Sequence, residues 1–327
     1  MCIGLAGCGE QNEVSEKIEL KRAQAPTYDD DKITVGFIQT GKESDWRDAN
    51  TNDYLSTFTE EAGYNLIYVD GNSDSDRQVK AMYDLIAQKV DYIILNPIVE
   101  NGWDDVLKAA KEADIPVIIA DRQVNADDSL YVCWTGSDFY SEGVKAVRWL
   151  EMYLRQTGRD KEEINIVLLE GTEGSTAAIG RTEGIEDEAA KHSNWHIVEK
   201  RCANFTQGEG NTVMEEIIAD GSDFDVVISE NDNMMFGAMN AMSNAGISYG
   251  TTGDVITISF DALREAFEKM QAGELLVTVE CNPLIAGLAE NVIQMLEKGE
   301  EVEKVYYSEE SVFTYENASY YIDKRQY

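Results

Sequence analysis

The short stretch from Gln39 to Arg47 gathers Gln39, Glu43, Ser44, Trp46 and Arg47. Trp46 offers a flat apolar face for C–H bonds, and the other four offer directional hydrogen-bond donors and acceptors. That set suits a polyhydroxylated ligand. A phosphate cradle would need a glycine-rich backbone turn, and Gly41 is the only glycine in the stretch. Comparable polar groups recur at Asp121-Arg122, at Thr172 with Arg181, at Asn231-Asp232, at Asp261, and from Glu280 to Asn282. A carboxylate beside an arginine, as in Asp121-Arg122, can accept from one hydroxyl and donate to its neighbour, which matches a vicinal diol.

Each of these groups follows an apolar run, so strands must position them. Ile33 to Ile38, Tyr64 to Val69, Val90 to Leu95 and Ile115 to Ala120 are continuous rather than alternating runs. Between them apolar residues return at helical spacing: Trp46, Ala49, Tyr54, Leu55 and Phe58, then Val79, Met82, Tyr83 and Ile86, then Trp103, Val106, Leu107 and Ala110. Strands buried on both faces and separated by helices form parallel sheets. The pattern then restarts, with strands over Leu130 to Trp134, Ile164 to Leu169, Ile197 to Cys202, Val226 to Ser229, Val255 to Phe260 and Leu275 to Val279, and helices over 176–191 and 209–219. The expectation is an α/β chain of two doubly wound parallel-sheet lobes facing each other across a cleft, with the polar loops at the strands' carboxyl ends.

Composition narrows the function further. The chain of 327 residues has 27 Lys plus Arg against 62 Asp plus Glu, a formal charge of −35. Such a surface repels nucleic acid and anionic lipid, so neither is an expected partner. Leu5-Ala6-Gly7-Cys8 matches a bacterial lipobox, with Cys8 the residue that would be lipidated and the apolar segment before it short for a signal peptide. Residues 9–31, rich in charge and poor in large apolar groups, then suit a flexible tether. Cys133, Cys202 and Cys281 in the body are widely spaced and expected as buried free thiols, one disulfide among them being the alternative, and His192 and His196 lie in a polar stretch and are expected to be exposed. With no CxxC and no Cys/His cluster, neither a metal nor a cofactor is expected. No nucleophile elbow or histidine base points to an enzyme either.

From about Ile33 onward the sequence resembles the solute-binding proteins of bacterial sugar ABC transporters, of the ribose- and galactose-binding type. The resemblance rests on Ile119-Ala120-Asp121-Arg122, the loop from Gly171 to Arg181, Ser229-Glu230-Asn231-Asp232 and Ile258-Ser259-Phe260-Asp261. Gly41 to Arg47, Trp134 to Asp138 and Glu280 to Pro283 look like the galactofuranose-binding branch, whereas the ribose branch carries paired phenylalanines where this chain has Trp46-Arg47. The resemblance implies a type I periplasmic binding protein without enzymatic activity. Its ligand contacts would be Gln39, Glu43, Ser44, Trp46, Arg47, Asp121, Arg122, Trp134, Thr172, Arg181, Asn231, Asp261, Glu280 and Asn282. In the last block Glu280, Cys281 and Asn282 are alternatives for one contact, and Phe205 lies near a position that stacks on sugar. No contiguous calcium loop like that of the glucose/galactose relatives is present. Three crossings, near 135–138, 281–283 and 307–312, would divide the chain into a leader and tether (1–32), a first lobe (33–136 plus 282–309) and a second lobe (137–281 plus 310–327). The implied protein is a lipid-anchored, extracytoplasmic monomer. It would take a monosaccharide, galactofuranose or a related sugar, to an ABC permease by hinge closure, the alternative being a sugar or quorum-signal sensor that reports to a membrane receptor. Replacing Arg47 or Asp121 is expected to abolish binding and leave the unliganded protein about as stable as before.

Overall fold

The computed structural model describes residue 29 and residues 31–327, so the Cys8 lipobox and most of the expected tether lie outside the described residues. The chain is already tied down at Asp29, whose carbonyl accepts from Asn65 Nδ2 at 2.9 Å.

Five strands, β1 (Ile33–Gln39), β2 (Tyr64–Asp70), β3 (Tyr92–Leu95), β4 (Val117–Ala120) and β5 (Cys133–Gly136), alternate with α1 (Asp45–Thr57), α2 (Ser75–Gln88) and α3 (Asp104–Glu112). After α4 (Phe139–Thr157) come β6 (Ile164–Glu170), α5 (Thr176–Ala189), β7 (Trp195–Cys202), α6 (Gln207–Ala219), β8 (Val226–Ser229), α7 (Asp232–Ala245), β9 (Ile256–Asp261), α8 (Arg264–Gln271) and β10 (Val277–Glu280). The chain ends with α9 (Ala286–Glu297), β11 (Val305–Tyr307), β12 (Val312–Thr314) and α10 (Ala318–Tyr321). Central strands such as β3 and β4 are buried along their whole length, as their unbroken apolar runs require. Strand β7 sits at a sheet edge and alternates half-buried with exposed residues beyond Trp195.

The two sheets have the orders β11-β5-β4-β3-β1-β2 and β12-β10-β9-β8-β6-β7, parallel throughout except for β12, which runs antiparallel to β10. In each, strand order reverses beside the first strand, at β1/β3 and at β6/β8. These are the switch points where open α/β sheets leave a crevice outside the strands' carboxyl ends. The chain passes between the sheets after β5, after β10 and between β11 and β12. Helix α9 returns to the first sheet, where Ile285, Ala289 and Val292 pack on Val35, Phe37 and Ile118.

Two elements differ from the sequence-based expectation. Strand β5 begins at Cys133 rather than Leu130, because Asp128–Leu130 forms a 3-10 turn that Asp127 caps. Helix α7, absent from the periodicity reading, is buried on nearly every face, so its sequence has no polar stripe to reveal it. The three described cysteines are free, with Cys133 and Cys281 buried and Cys202 exposed. His196 is exposed, but His192 is half-buried because its ring stacks on Trp195 at 3.9 Å. Among the described residues no helix is long and apolar enough to cross a membrane.

Candidate functional site

The switch point of the first sheet builds one wall. Ser44 caps α1 by accepting from the Arg47 backbone N–H at 3.2 Å, so Trp46 and Arg47 emerge from the first turn. At the end of β4 the backbone turns sharply, with Asp121 at φ +58°, a left-handed conformation that non-glycine residues enter only when held there. Strand β5 holds it on both sides: the Asp121 N–H donates to the Thr135 carbonyl, and Trp134 Nε1 donates to the Asp121 carbonyl, each at 2.9 Å. The result is a four-membered charge network. Arg47 Nη2 lies 2.7 Å from Asp121 Oδ2 and 3.0 Å from Glu43 Oε1, and Arg122 Nη2 reaches the same Glu43 oxygen. The Arg47 guanidinium lies 4.7 Å from the Trp46 ring centre, and that of Arg122 lies 5.1 Å from Phe205.

The second wall repeats the plan. Asp261 closes β9 at φ +100° and Ala262 follows at +63°, with Thr278 Oγ1 and Asp232 Oδ2 accepting the next two backbone N–H groups, of Ala262 and Leu263. Asn231, after β8, caps α7 through the Met234 N–H and donates to the Phe205 carbonyl at 3.0 Å. Arg181 crosses this wall. Its Nε donates to Glu142 Oε2 at 2.7 Å, its Nη1 donates to the Glu230 carbonyl, and its Nη2 stands 3.6 Å from Asp261 Oδ1.

Between the walls lies a narrow cleft lined by Glu43, Ser44, Trp46, Arg47, Asp121, Arg122, Arg181, Asn231 and Asp261, with Phe139, Ala177, Phe205 and Cys281. Trp46 spans the gap, since its Nε1 donates to the Cys281 carbonyl at 2.7 Å. Arg47 Nη1 and Arg122 Nε are buried donors without a partner among the described residues.

Electrostatics differ from wall to wall. Burial alone would raise the Glu43 carboxyl, but Arg122 and Arg47 hold it below the usual carboxylate range. Across the cavity burial dominates. It lifts Asp261 well above the usual range, Arg181 opposing and the Asp232 and Asp121 carboxylates adding to the rise. Glu142 is raised likewise, against the same arginine. Behind them burial pushes Glu230 up to about 8 despite its Thr182 and Gly171 hydrogen bonds, and Asp232 up to about 7 despite bonds from Ser259, the Leu263 N–H and Thr278.

Five of the residues expected as contacts stand off the cavity wall. Gln39 is fully buried behind it, bonded to Asn50, Thr51 and Asn96. Trp134 turns into the core against Tyr307 and fixes Asp121 from behind. Thr172 lies half-buried in the loop after β6. Glu280 faces the C-terminal segment, pairing with Arg325 at 2.7 Å and accepting from the Tyr327 hydroxyl at 3.0 Å. Asn282 turns its side chain back on the Leu284 N–H. Of the three alternatives after β10, it is Cys281 that lines the cavity. Phe139 and Ala177 were not anticipated. Phe139 opens α4 after the N-cap Asp138 and Ala177 lies in the first turn of α5 after the N-cap Ser175, and that position was the available signal. The networks also correct the stability expectation for Arg47, since removing it leaves the buried Asp121 carboxylate without its ion-pair partner, while Glu43 keeps Arg122.

Comparisons with known proteins agree with this architecture. The model of the periplasmic binding protein domain matches residues 35–300. The galactofuranose-binding protein YtfQ of Escherichia coli (strain K12) is 33% identical over 299 residues, 90% of this chain and 92% of that protein. Among solved structures, the binding protein of the arabinose ABC transporter from Shewanella sp. ANA-3, bound to α- and β-L-arabinofuranose, superposes with a TM-score of 0.83 at 37% identity, covering 90% of this chain and 95% of that one. A protein from Mycobacterium smegmatis in complex with β-D-fucofuranose gives 0.85 at 36% identity, again over 90% and 95%. With two doubly wound lobes and a cavity built at both switch points, the chain belongs to the periplasmic binding protein family, as a solute-binding protein of type I rather than an enzyme.

Proposed function

We propose that this protein is the extracytoplasmic solute-binding component of an ABC importer and captures a monosaccharide in its furanose form, of the galactofuranose or arabinofuranose kind, between its lobes. The observation that carries the reading is the pair of arginines, Arg47 and Arg122, each with a buried unpaired donor on a cavity that also presents the Trp46 and Phe205 rings. An unmet buried donor costs about 1–3 kcal/mol, a cost that a ligand hydroxyl removes. The narrowness of the cleft between the two walls favours one sugar ring over an oligosaccharide. The relatives named for galactofuranose, arabinofuranose and fucofuranose support the ring form.

In this reading the lobes are 33–136 plus 282–309 and 137–281 plus 310–327. They close by rotation about the three crossings, and Trp46 meets the Cys281 carbonyl on closure. Anchoring through Cys8 and a monomeric state belong to the same proposal. The test is calorimetry and thermal unfolding of the protein with D-galactose, L-arabinose, D-fucose, D-ribose and D-fructose, each of which supplies furanose in solution. Sugar at 100 times its dissociation constant adds about 2.7 kcal/mol of stability, a rise of several degrees in Tm. Absence of any shift with all five sugars overturns the reading.

A further inference from the structure

A second cluster of donors gathers at the crossings themselves. Glu142 comes from the first turn of α4, Cys281 follows β10, and Glu310 lies between β11 and β12. One donor atom from each lies within 4.8 Å of the other two. Ser137, at the remaining crossing, donates to Glu310 and stands 3.4 Å from Cys281 Sγ. Glu310 Oε1 also accepts from Ser308 at 2.8 Å.

The decisive feature is Glu142. Its side chain is wholly buried; Oε2 is occupied by Arg181, and Oε1 is a buried acceptor with no partner among the described residues. Among the described residues Arg181 is the one cation bonded to this group, against two carboxyls and a thiol. Burial accordingly favours the protonated forms of Glu142 and Cys281.

We propose that Glu142, Cys281 and Glu310 form a binding site for a divalent transition-metal cation of the zinc type, with the Ser137 hydroxyl or a water as fourth ligand. The donor set suits it: a thiolate and carboxylates are accepted together by Zn²⁺ and Co²⁺, whereas Ca²⁺ and Mg²⁺ require oxygen ligands alone. With Zn–S at about 2.3 Å and Zn–O at about 2.1 Å, tetrahedral donors stand about 3.6 Å apart, so the cluster has to contract by about 1 Å. On binding, the Cys281 thiol and the Glu142 carboxyl give up their protons to solvent, and the cation takes their place. Sequence spacing could not show this site, because its ligands come from three distant segments. A cation held there ties α4 to the second-lobe ends of two crossings, at Cys281 and Glu310, and so stiffens that side of the hinge. That consequence rests on the hinge reading, but the binding itself does not.

The experiment uses ligand-free protein, reduced and stripped with chelator, titrated with Co²⁺. The expected result is one equivalent of Co²⁺ bound with a thiolate-to-cobalt charge-transfer band in the near ultraviolet, bleached by Zn²⁺. Cys281→Ser loses the band, and Cys202→Ser, at the exposed thiol, retains it. Glu310→Gln weakens Co²⁺ at least tenfold, in line with the loss of a ligand or its close support. A missing band in the parent protein, or a band that persists in Cys281→Ser, overturns the proposal. Should Cys281→Ser fail to fold, unchanged Co²⁺ affinity in Glu310→Gln overturns it equally. Sugar is absent throughout, so failure here is distinct from failure of the sugar assignment.

Discussion

Asp121 and Asp261 stand at the carboxyl ends of β4 and β9, the fourth strand of each half, and both adopt positive φ. Their surroundings part company there. Asp121 belongs to a network of two carboxylates and two arginines whose charges balance, and Glu43 within it is held ionised. Asp261 shares the single Arg181 with Glu142, and burial favours the neutral acid on both. One fold plan therefore carries two charge strategies: the first wall is a charge-balanced ionic network with donors left for a ligand, and the second is an acid-rich wall with protons in reserve. An arginine cannot shed its charge on burial, whereas a carboxyl can accept a proton.

The largest expected effect separates the walls on that basis. Glu43→Gln leaves Arg47 and Arg122 adjacent with only Asp121 between them, and it should cost about 3–5 kcal/mol of unfolding free energy in urea. Asp261→Asn replaces a group already inclined to neutrality and should cost about 1 kcal/mol or less, while lowering sugar affinity by about 2 kcal/mol through the lost acceptor. Equal stability losses in the two variants would erase the contrast.

A smaller effect comes from pH. Glu230 is raised from an ordinary value of 4.5 to about 8 by burial. A raised acid binds more protons folded than unfolded between those values, so it lowers stability progressively as pH climbs from about 4.5 to 8. Glu43 is lowered, so its contribution is present above about 4.5 and is lost as pH falls through its folded value. Stability should peak near pH 5 and decline on both sides. Glu230→Gln should flatten the alkaline decline, gaining up to about 3 kcal/mol relative to the parent at pH 8 compared with pH 5. Parallel curves for parent and variant would remove Glu230 as the source.

The walls also differ in how far the sequence discloses them. Strand ends are readable because unbroken apolar runs stop where polar loops begin, so Glu43 to Arg47, Asp121, Arg122, Asn231 and Asp261 could be named in advance. Which side of the strand a residue faces is less readable at its last position. Gln39 closes β1, yet its side chain enters the core and serves as support, and Trp134, expected at a strand's end, lies within β5 and does the same. Glu280 was unreadable for another reason, since its partner Arg325 arrives 45 residues later. The Glu142–Arg181 pair was hidden too, because an acid in the first turn of α4 looks like an ordinary response to the helix dipole.

The smallest effect tests whether the walls meet as one site. Trp46 stands on the first wall and donates across the gap to the Cys281 carbonyl, while Asn233 Nδ2 donates to Asp45 Oδ2 at 2.8 Å at the more exposed rim. Trp46→Phe keeps a flat apolar face and deletes only the buried donor, so sugar affinity should fall by about 1–2 kcal/mol, some fivefold to thirtyfold. Asn233→Ala removes two bonds to the exposed Asp45, away from the cleft lining, and affinity should change by less than for Trp46→Phe, by about 0.5–1 kcal/mol. Because the Trp46 bond joins the two lobes, its loss should weaken ligand retention and leave the urea unfolding of the sugar-free protein nearly unchanged. If Trp46→Phe destabilises the sugar-free protein as much as it weakens binding, the bond belongs to the resting fold, and Trp46 serves both walls before any ligand arrives.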